Sequence, residues 1–315
     1  MKGKGNNMSF FGSFDDFKHD VVDNIRNYLP KEYASADISI SGVMKNNDQK
    51  LDGLIIRTDG VNVTPTIYLN GYYKKLQEDD EYDLDDALKS ISKLYLDNAV
   101  SNNFDMSKIT DFNTARNNIL CRIINAEYNK RYLSDKPHKT IEDLAVVYYV
   151  DLGSNERGSS MSTPITTKLM DSYGVDIDTL HQIAIRNMNT INKPCFMDIM
   201  SLIEQLSVHH PTPLPEDLGV GVYVLTNENK TNGAAALLNE DVMDQVSDEL
   251  GDNFYILPSS IHEVILLKNS NEFDPNYLIN MVKDINSKEV MPDEKLSDNI
   301  YSYDSLNHKI SIVNI

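Results

Sequence analysis

Long apolar runs are missing from this chain of 315 residues. None approaches the roughly 18 residues that a membrane-spanning helix requires, so no membrane segment is expected. Cysteine is scarce as well. Cys121 and Cys195 stand alone, without other ligand types at metal-binding spacing around them. A disulfide framework and a zinc site are therefore not expected, and two isolated thiols suit a reducing cytoplasm as small buried apolar side chains. The signatures of well-known chemistries are absent too. There is no GxxxxGK[ST] or GxGxxG loop for phosphate, no GxSxG elbow for a serine nucleophile and no HExxH for a metal, so no cofactor is expected and the chain reads more readily as a non-enzyme. The first eight residues, Met1 to Met8, are basic but lead into no apolar stretch, unlike a secretory signal. Positive charge is in deficit: 29 basic residues face 48 acidic ones, a formal net charge of −19. Direct binding to nucleic acid or to an anionic membrane is disfavoured, and a protein partner, a basic one in particular, fits this balance. An acidic protein can also imitate DNA and occupy a DNA-binding protein.

What is present suffices for globular structure. The hydrophobic fraction of 41% supports real cores, and the length suits roughly two domains. The clearest stretch runs from Gly221 to Lys268. Gly221 to Leu225 alternates as a half-buried strand, and a polar run ends in the turn signal Asn232-Gly233. Ala234 to Leu238 is short and apolar, as a returning strand would be. Asn239 caps a helix opened by Glu240 and Asp241 and closed by Gly251. Phe254 to Leu257 and His262 to Leu267 follow as strands around Pro258-Ser259-Ser260.

Elsewhere, Phe14 to Leu29 has helical spacing and stops at Pro30. Asp37 to Met44, Leu51 to Arg57 and Val61 to Tyr68 read as strands, with a hairpin signal at Asp59-Gly60 and a helix from Asn70 to Leu76. The acidic run Glu78 to Asp86 reads as a surface loop ahead of the helix bearing Leu84, Leu88, Ile91 and Leu94; it lacks the spacing of a calcium loop, so no metal site is assigned. Asn117 onwards begins as a strand. Leu144 to Val150, the most hydrophobic run, reads as a central strand. Ser162 to Thr167 is a strand or a helix start, and Asp176 to Asn189 and Phe196 to Leu206 are helices. Pro275 opens a last helix, and Asn299 to Tyr303 pairs with Lys309 to Val313 as a hairpin.

A strand–loop–strand–helix plan appears three times, over Leu51–Leu76, Leu144–Tyr173 and Val222–Leu250. The expected class is α+β, antiparallel sheets with helices packed on one side. Three prolines between His210 and Glu216 mark a linker, which divides the chain into an N-terminal α+β domain (1–208), a Pro-rich linker (209–219) and a C-terminal α+β domain (220–315).

Candidate chemistry is local. Ser259, Ser260, His262 and Glu263 place two hydroxyls beside an imidazole and a carboxylate, and a Ser–His pair can supply nucleophile and base. On an extended strand His262 and Glu263 face apart, and Ser259 and Ser260 have a turn role after Pro258, which favours a structural reading. Asn227, Asn229 and Asn232 can bind a ligand or partner, or can simply build the turn. His209 and His210 lack accompanying metal ligands and sit among prolines. Asp143 and Asp151 bracket the central strand, but the ExK partner of metal nucleases is missing.

The segments Ile141-Glu142-Asp143-Leu144-Ala145-Val146-Val147-Tyr148 and Phe254 to Val264 (FYILPSSIHEV) resemble an uncharacterised domain-of-unknown-function family of gut anaerobic bacteria (Firmicutes), often encoded near mobile elements. Matches extend to Thr64–Leu69, Ile123–Glu127 and Asn232–Ala235. The resemblance implies a bacterial cytoplasmic accessory protein and carries over no catalytic residue. Three functions stay open: a non-enzymatic binding or regulatory protein of a mobile element, a hydrolase using His262 with Ser259 or Ser260, and an acidic decoy of a DNA-binding protein.

Overall fold

The computed structural model describes residues 12–99, 104–154, 160–201, 221–269 and 274–314. The described residues form two compact units: one from 12–45, 50–99, 104–106, 153–154 and 160–161, the other from 46–49, 107–152, 162–201, 221–269 and 274–314. The fold is α+β with antiparallel sheets, as the patterns predict.

In the first unit, α1 (Phe14–Asn24) starts in a capping box, with Ser13 and Asp16 each bonding the other's backbone N–H. Strands β1 (Asp37–Met44), β2 (Lys50–Arg57) and β3 (Thr66–Tyr68) make a three-stranded sheet in that order. Helices α2 (Asn70–Glu78) and α3 (Leu84–Asn98) follow, and a second capping box, Asp83 with Asp86, opens α3. Phe17, Val21 and Ile25 bury against Leu54, Ile56, Ile67, Leu88 and Ile91 in one core. The return strand is shorter than Val61 to Tyr68, because Thr64 and Pro65 precede pairing; only Thr66–Tyr68 joins β2.

The second unit holds two sheets. In one, β4 (Ile119–Asn125) and β5 (His138–Ile141) flank β6 (Leu144–Ser154), which also pairs with β7 (Ser160–Pro164). Leu144 to Val150 is the central strand expected from its apolar run, and every residue of it is buried apart from Tyr149, which is partly exposed. Helices α4 (Thr167–Tyr173) and α5 (Ile177–Ile191) follow, capped by Thr166 and Asp176. The other sheet has six strands in the order β13-β12-β10-β11-β9-β8: β8 (Pro194–Asp198), β9 (Val222–Asn227), β10 (Asn253–Leu257), β11 (Val264–Lys268), β12 (Tyr301–Asp304) and β13 (Lys309–Ile312). Two helices, α6 (Glu240–Leu250) and α7 (Pro275–Lys288), belong to the same unit.

Three expectations change. Phe196 lies in a strand, not a helix: Pro194–Asp198 pairs antiparallel with β9, with Phe196 opposite Leu225. Residues 199–201 are helical, as expected, while the rest of the expected helix from residue 202, the His209-His210 pair and the proline-rich stretch lie outside the described residues. Because β8 and β9 stand on either side of 209–219 in one sheet, the compact units do not follow the 1–208 and 220–315 division. Gly233–Leu238 is a 3-10 helix with Gly233 to Leu237 buried, not a returning strand. The repeated plan is therefore met by β2–β3–α2 and β6–β7–α4, while the third instance has one strand only. The physical reason sits at Gly233. A Cβ there would come within 2.3 Å of the carbonyl oxygen of His262 and of Thr226 Oγ1. The segment turns inward at this close approach and coils against β9 instead of pairing along it.

Candidate functional site

The residues around Pro258 form a closed knot. His262 precedes β11 and is not on it, so the alternation that would set His262 and Glu263 on opposite faces does not apply. Ser259 Oγ and Ser260 Oγ both donate to Glu263 Oε1, at 2.6 and 2.7 Å, and the backbone N–H of His262 donates to Ser260 Oγ at 2.9 Å. The imidazole points elsewhere: its Nδ1 accepts the N–H of Asn232 at 3.2 Å, which leaves the proton on Nε2, 3.5 Å from Glu294 Oε1. The loop's carbonyls hold its neighbours, His262 O accepting from Thr226 Oγ1 and Ile261 O from the N–H of Ala234. Hydroxyls and imidazole thus share a loop without sharing a proton path. A nucleophile–base pair requires that contact.

The asparagines do turn chemistry. Asn227 is buried; its side chain donates to Thr231 O and accepts from Thr231 N–H, closing the loop. The N–H of Asn229 donates to Asn192 Oδ1, and Asn232 sits at φ 55°, the left-handed conformation that asparagine tolerates. Asn192, Asn227, Asn232 and Tyr149 line a cavity of about 10 Å³, which accommodates at most one water. Burial pushes the Tyr149 hydroxyl up to about 12 and the Cys121 thiol, beside the same cavity, up to about 12.

Asp143 does more than bracket the central strand. It occupies the two-residue turn between β5 and β6, after Glu142 at φ 54°. Its Oδ2 accepts from Asn125 Nδ2 (3.1 Å), Ser297 Oγ (2.8 Å) and Asn299 Nδ2 (3.0 Å), and its Oδ1 accepts from Tyr301 OH (2.6 Å). Four neutral donors on two separate segments, Asn125 of β4 and the stretch 297–301, converge on one carboxylate. Tyr301 is 1% exposed, and burial followed by the Asp143 charge drives its hydroxyl far above the ordinary tyrosine range. The network extends through Asn129, which bonds Asn125 O and Asn47, and through Asn286 and Lys295, which both reach Asp298. The acidic run of the first unit is also local structure. Asp83, Asp85 and Asp86 lie close together, but Asp83 and Asp86 build the capping box while Asp85 accepts from Tyr28 OH and pairs with Lys89.

The open surface of the second unit lies elsewhere. A groove of about 530 Å³ is lined by His181, Gln182, Ile185, Arg186 and Asn189 of α5 and by Leu238, Glu240 and Asp241 at the start of α6. A second, of about 370 Å³, shares Leu238 and Glu240 with it and continues over Leu237 and Met243 to β5 and to Tyr303, His308, Lys309 and Ile310 of the β12–β13 hairpin. Asn239 joins the two helices: its Oδ1 accepts from Val242 N–H and its Nδ2 donates to Asn189 Oδ1. His181 Nδ1 lies 3.0 Å from the hydroxyl of the buried Tyr148, and burial, then Lys139, lowers the imidazole below its usual range, so it is neutral at neutral pH. Arg186, Glu240 and Asp241 make no side-chain hydrogen bond or ion pair among the described residues, although all three border the groove. None of these lining residues stood out in the sequence except Asn239, Glu240 and Asp241 as a cap. His181 looks like any polar position of an amphipathic helix, and only the fold brings it opposite α6.

No curated protein and no solved structure matches the chain. The profile of a family of unknown function (DUF5688) matches residues 14–305, across both compact units. The chain belongs to this family.

Proposed function

We propose that the chain is a non-enzymatic binding or regulatory protein of a bacterial cytoplasm, in keeping with the accessory role implied by the mobile-element resemblance, and that it holds a polypeptide partner in the continuous groove between α5, α6 and the β12–β13 hairpin. The observation that carries this reading is a groove with the partly exposed Leu238 on its floor, over the buried Leu237, Met243 and Ile310, edged by the side chains of Arg186, Glu240 and Asp241, which lack partners among the described residues. Interaction surfaces combine an apolar centre with a polar rim in this way. The hydrolytic alternative through His262 ranks lower because both serine hydroxyls are committed to Glu263. The DNA-decoy alternative ranks lower because the tightest carboxylate cluster among the described residues is absorbed by a helix cap and by Lys89. Affinity capture from a native bacterial lysate tests the reading, with Leu238→Glu as the paired bait. A partner retained by the unaltered chain and lost with Leu238→Glu supports it. Identical retention by both baits, or no retention, refutes it.

A further inference from the structure

We infer that the partner enters the groove as an extended, basic segment that adds a strand to the edge of β13 that pairs with no strand among the described residues. This inference rests on the groove reading above and specifies how the groove is used. Strand β13 ends its sheet, and β5 ends the path of the other sheet in the second unit. Backbone hydrogen bonds alternate sides along an antiparallel strand. The N–H of Val313 donates inward to Ile300 O, so alternation turns the N–H and C=O of Ile312 and Ile310 outward. In β5, the two-residue turn makes Ile141 and Leu144 the inward-bonded pair, which turns the backbone groups of Thr140 outward. Thr140 and Ile310 both line the 370 Å³ groove. The outward-facing positions of two sheet edges thus border one groove. A strand laid there gains main-chain hydrogen bonds, the recognition mode of strand addition.

The occupant's chemistry follows from the lining. Leu238, partly exposed, offers apolar surface to a side chain of an extended segment, over Leu237, Met243 and Ile310, which are almost wholly buried beneath the groove. Glu142 and Glu240 line the walls, with Asp241 and Asp244 on the same helical turn of α6; Asp244 lies 3.8 Å from His308, and Lys309 and Arg186 are the basic side chains among the described lining residues. The local excess of carboxylates, within a chain of net charge −19, complements a basic segment.

The test is fluorescence anisotropy of the full chain with a labelled Lys-Val-Lys-Val-Lys-Val peptide and with two copies of it, N-methylated on alternate residues in one register or the other. Side-chain charge is the same in all three, and the two methylated copies carry the same number of added methyl groups. Strand addition predicts that one N-methyl register weakens binding by about tenfold while the other is tolerated. It also predicts that Ile312→Pro, which removes an outward N–H where an edge strand tolerates proline, weakens the unmethylated peptide while the thermal midpoint is kept. If both registers bind alike but Leu238→Glu abolishes binding, the groove reading stands and strand addition is overturned. If Leu238→Glu and Glu240→Lys leave binding unchanged, both are overturned. Absence of peptide binding, or a concentration-dependent dimer broken by Ile312→Pro, overturns the inference as well, the dimer in favour of a second copy as occupant.

Discussion

Replacing Asp143 by Asn tests whether a single carboxylate organises the second unit. The substitution keeps the shape and removes the charge. Asn offers one acceptor oxygen where Asp143 offers two, and turns an amide donor toward groups that are themselves donors. With the oxygen facing Asn125, Ser297 and Asn299, three hydrogen bonds drop from charge-assisted to neutral strength, and Tyr301 OH loses its acceptor. Bonds to charged groups contribute about 1.5–3 kcal/mol and neutral ones about 0.5–1.5, while an orphaned buried hydroxyl costs about 1–3. Asp143 is only half-buried, so solvent repairs part of this, and a loss of about 2–4 kcal/mol is expected. For a domain of this size that lowers the thermal midpoint by roughly 5–10 °C. Calorimetry at pH 7, with a urea titration beside it, measures both quantities. A double-mutant cycle with Tyr301→Phe isolates the pair, and a coupling of about 1–2 kcal/mol is expected. Asp143→Asn within about 0.5 kcal/mol of the unaltered chain, or strict additivity in the cycle, refutes the reasoning.

Three further outcomes follow from the same contacts. Gly233→Ala drives a Cβ to 2.3 Å from a backbone carbonyl and should lower the midpoint by several degrees, whereas Gly71→Ala, with open space around it, should not. His262→Ala leaves the N–H of Asn232 without its acceptor and should cost about 1–3 kcal/mol in a melt; an unchanged melt contradicts a structural imidazole. Cys121, buried with its thiol raised to about 12, should resist a thiol reagent at pH 8 in the folded chain while the half-buried Cys195 reacts, and mass spectrometry of the labelled peptides reads the difference.

Much of the fold was legible because local signals and burial agreed. Ser13, Asp83, Asp176, Asn239 and Asp274 cap helices as side chains of their type do, and Leu144 to Val150 reads as a central strand from its composition alone. The failures share a cause. Ala234 to Leu238 has no periodicity to separate a short strand from a buried 3-10 turn, and the deciding contact, Gly233 against His262 O, lies almost thirty residues away. Phe196 looked helical until its pairing with Leu225, beyond the proline-rich stretch, set its backbone. The site was less legible still. The residues that attracted chemistry, Ser259, Ser260 and His262, spend their polar atoms on Glu263, Asn232 and the neighbouring backbone. The groove residues come from α5, α6 and the β12–β13 hairpin, and no spacing along the chain announces that they meet.

Site-specific photo-crosslinking tests the groove most directly. A photo-reactive residue at Leu238, on the shared floor of the two grooves, should join the full chain to one polypeptide in a native lysate, and the crosslinked peptide should carry basic residues. The same group at Lys89, on α3 of the first unit, should capture nothing above background. Crosslinks from Lys89 to the same partner, or none from Leu238, contradict the assignment of the groove as the binding surface.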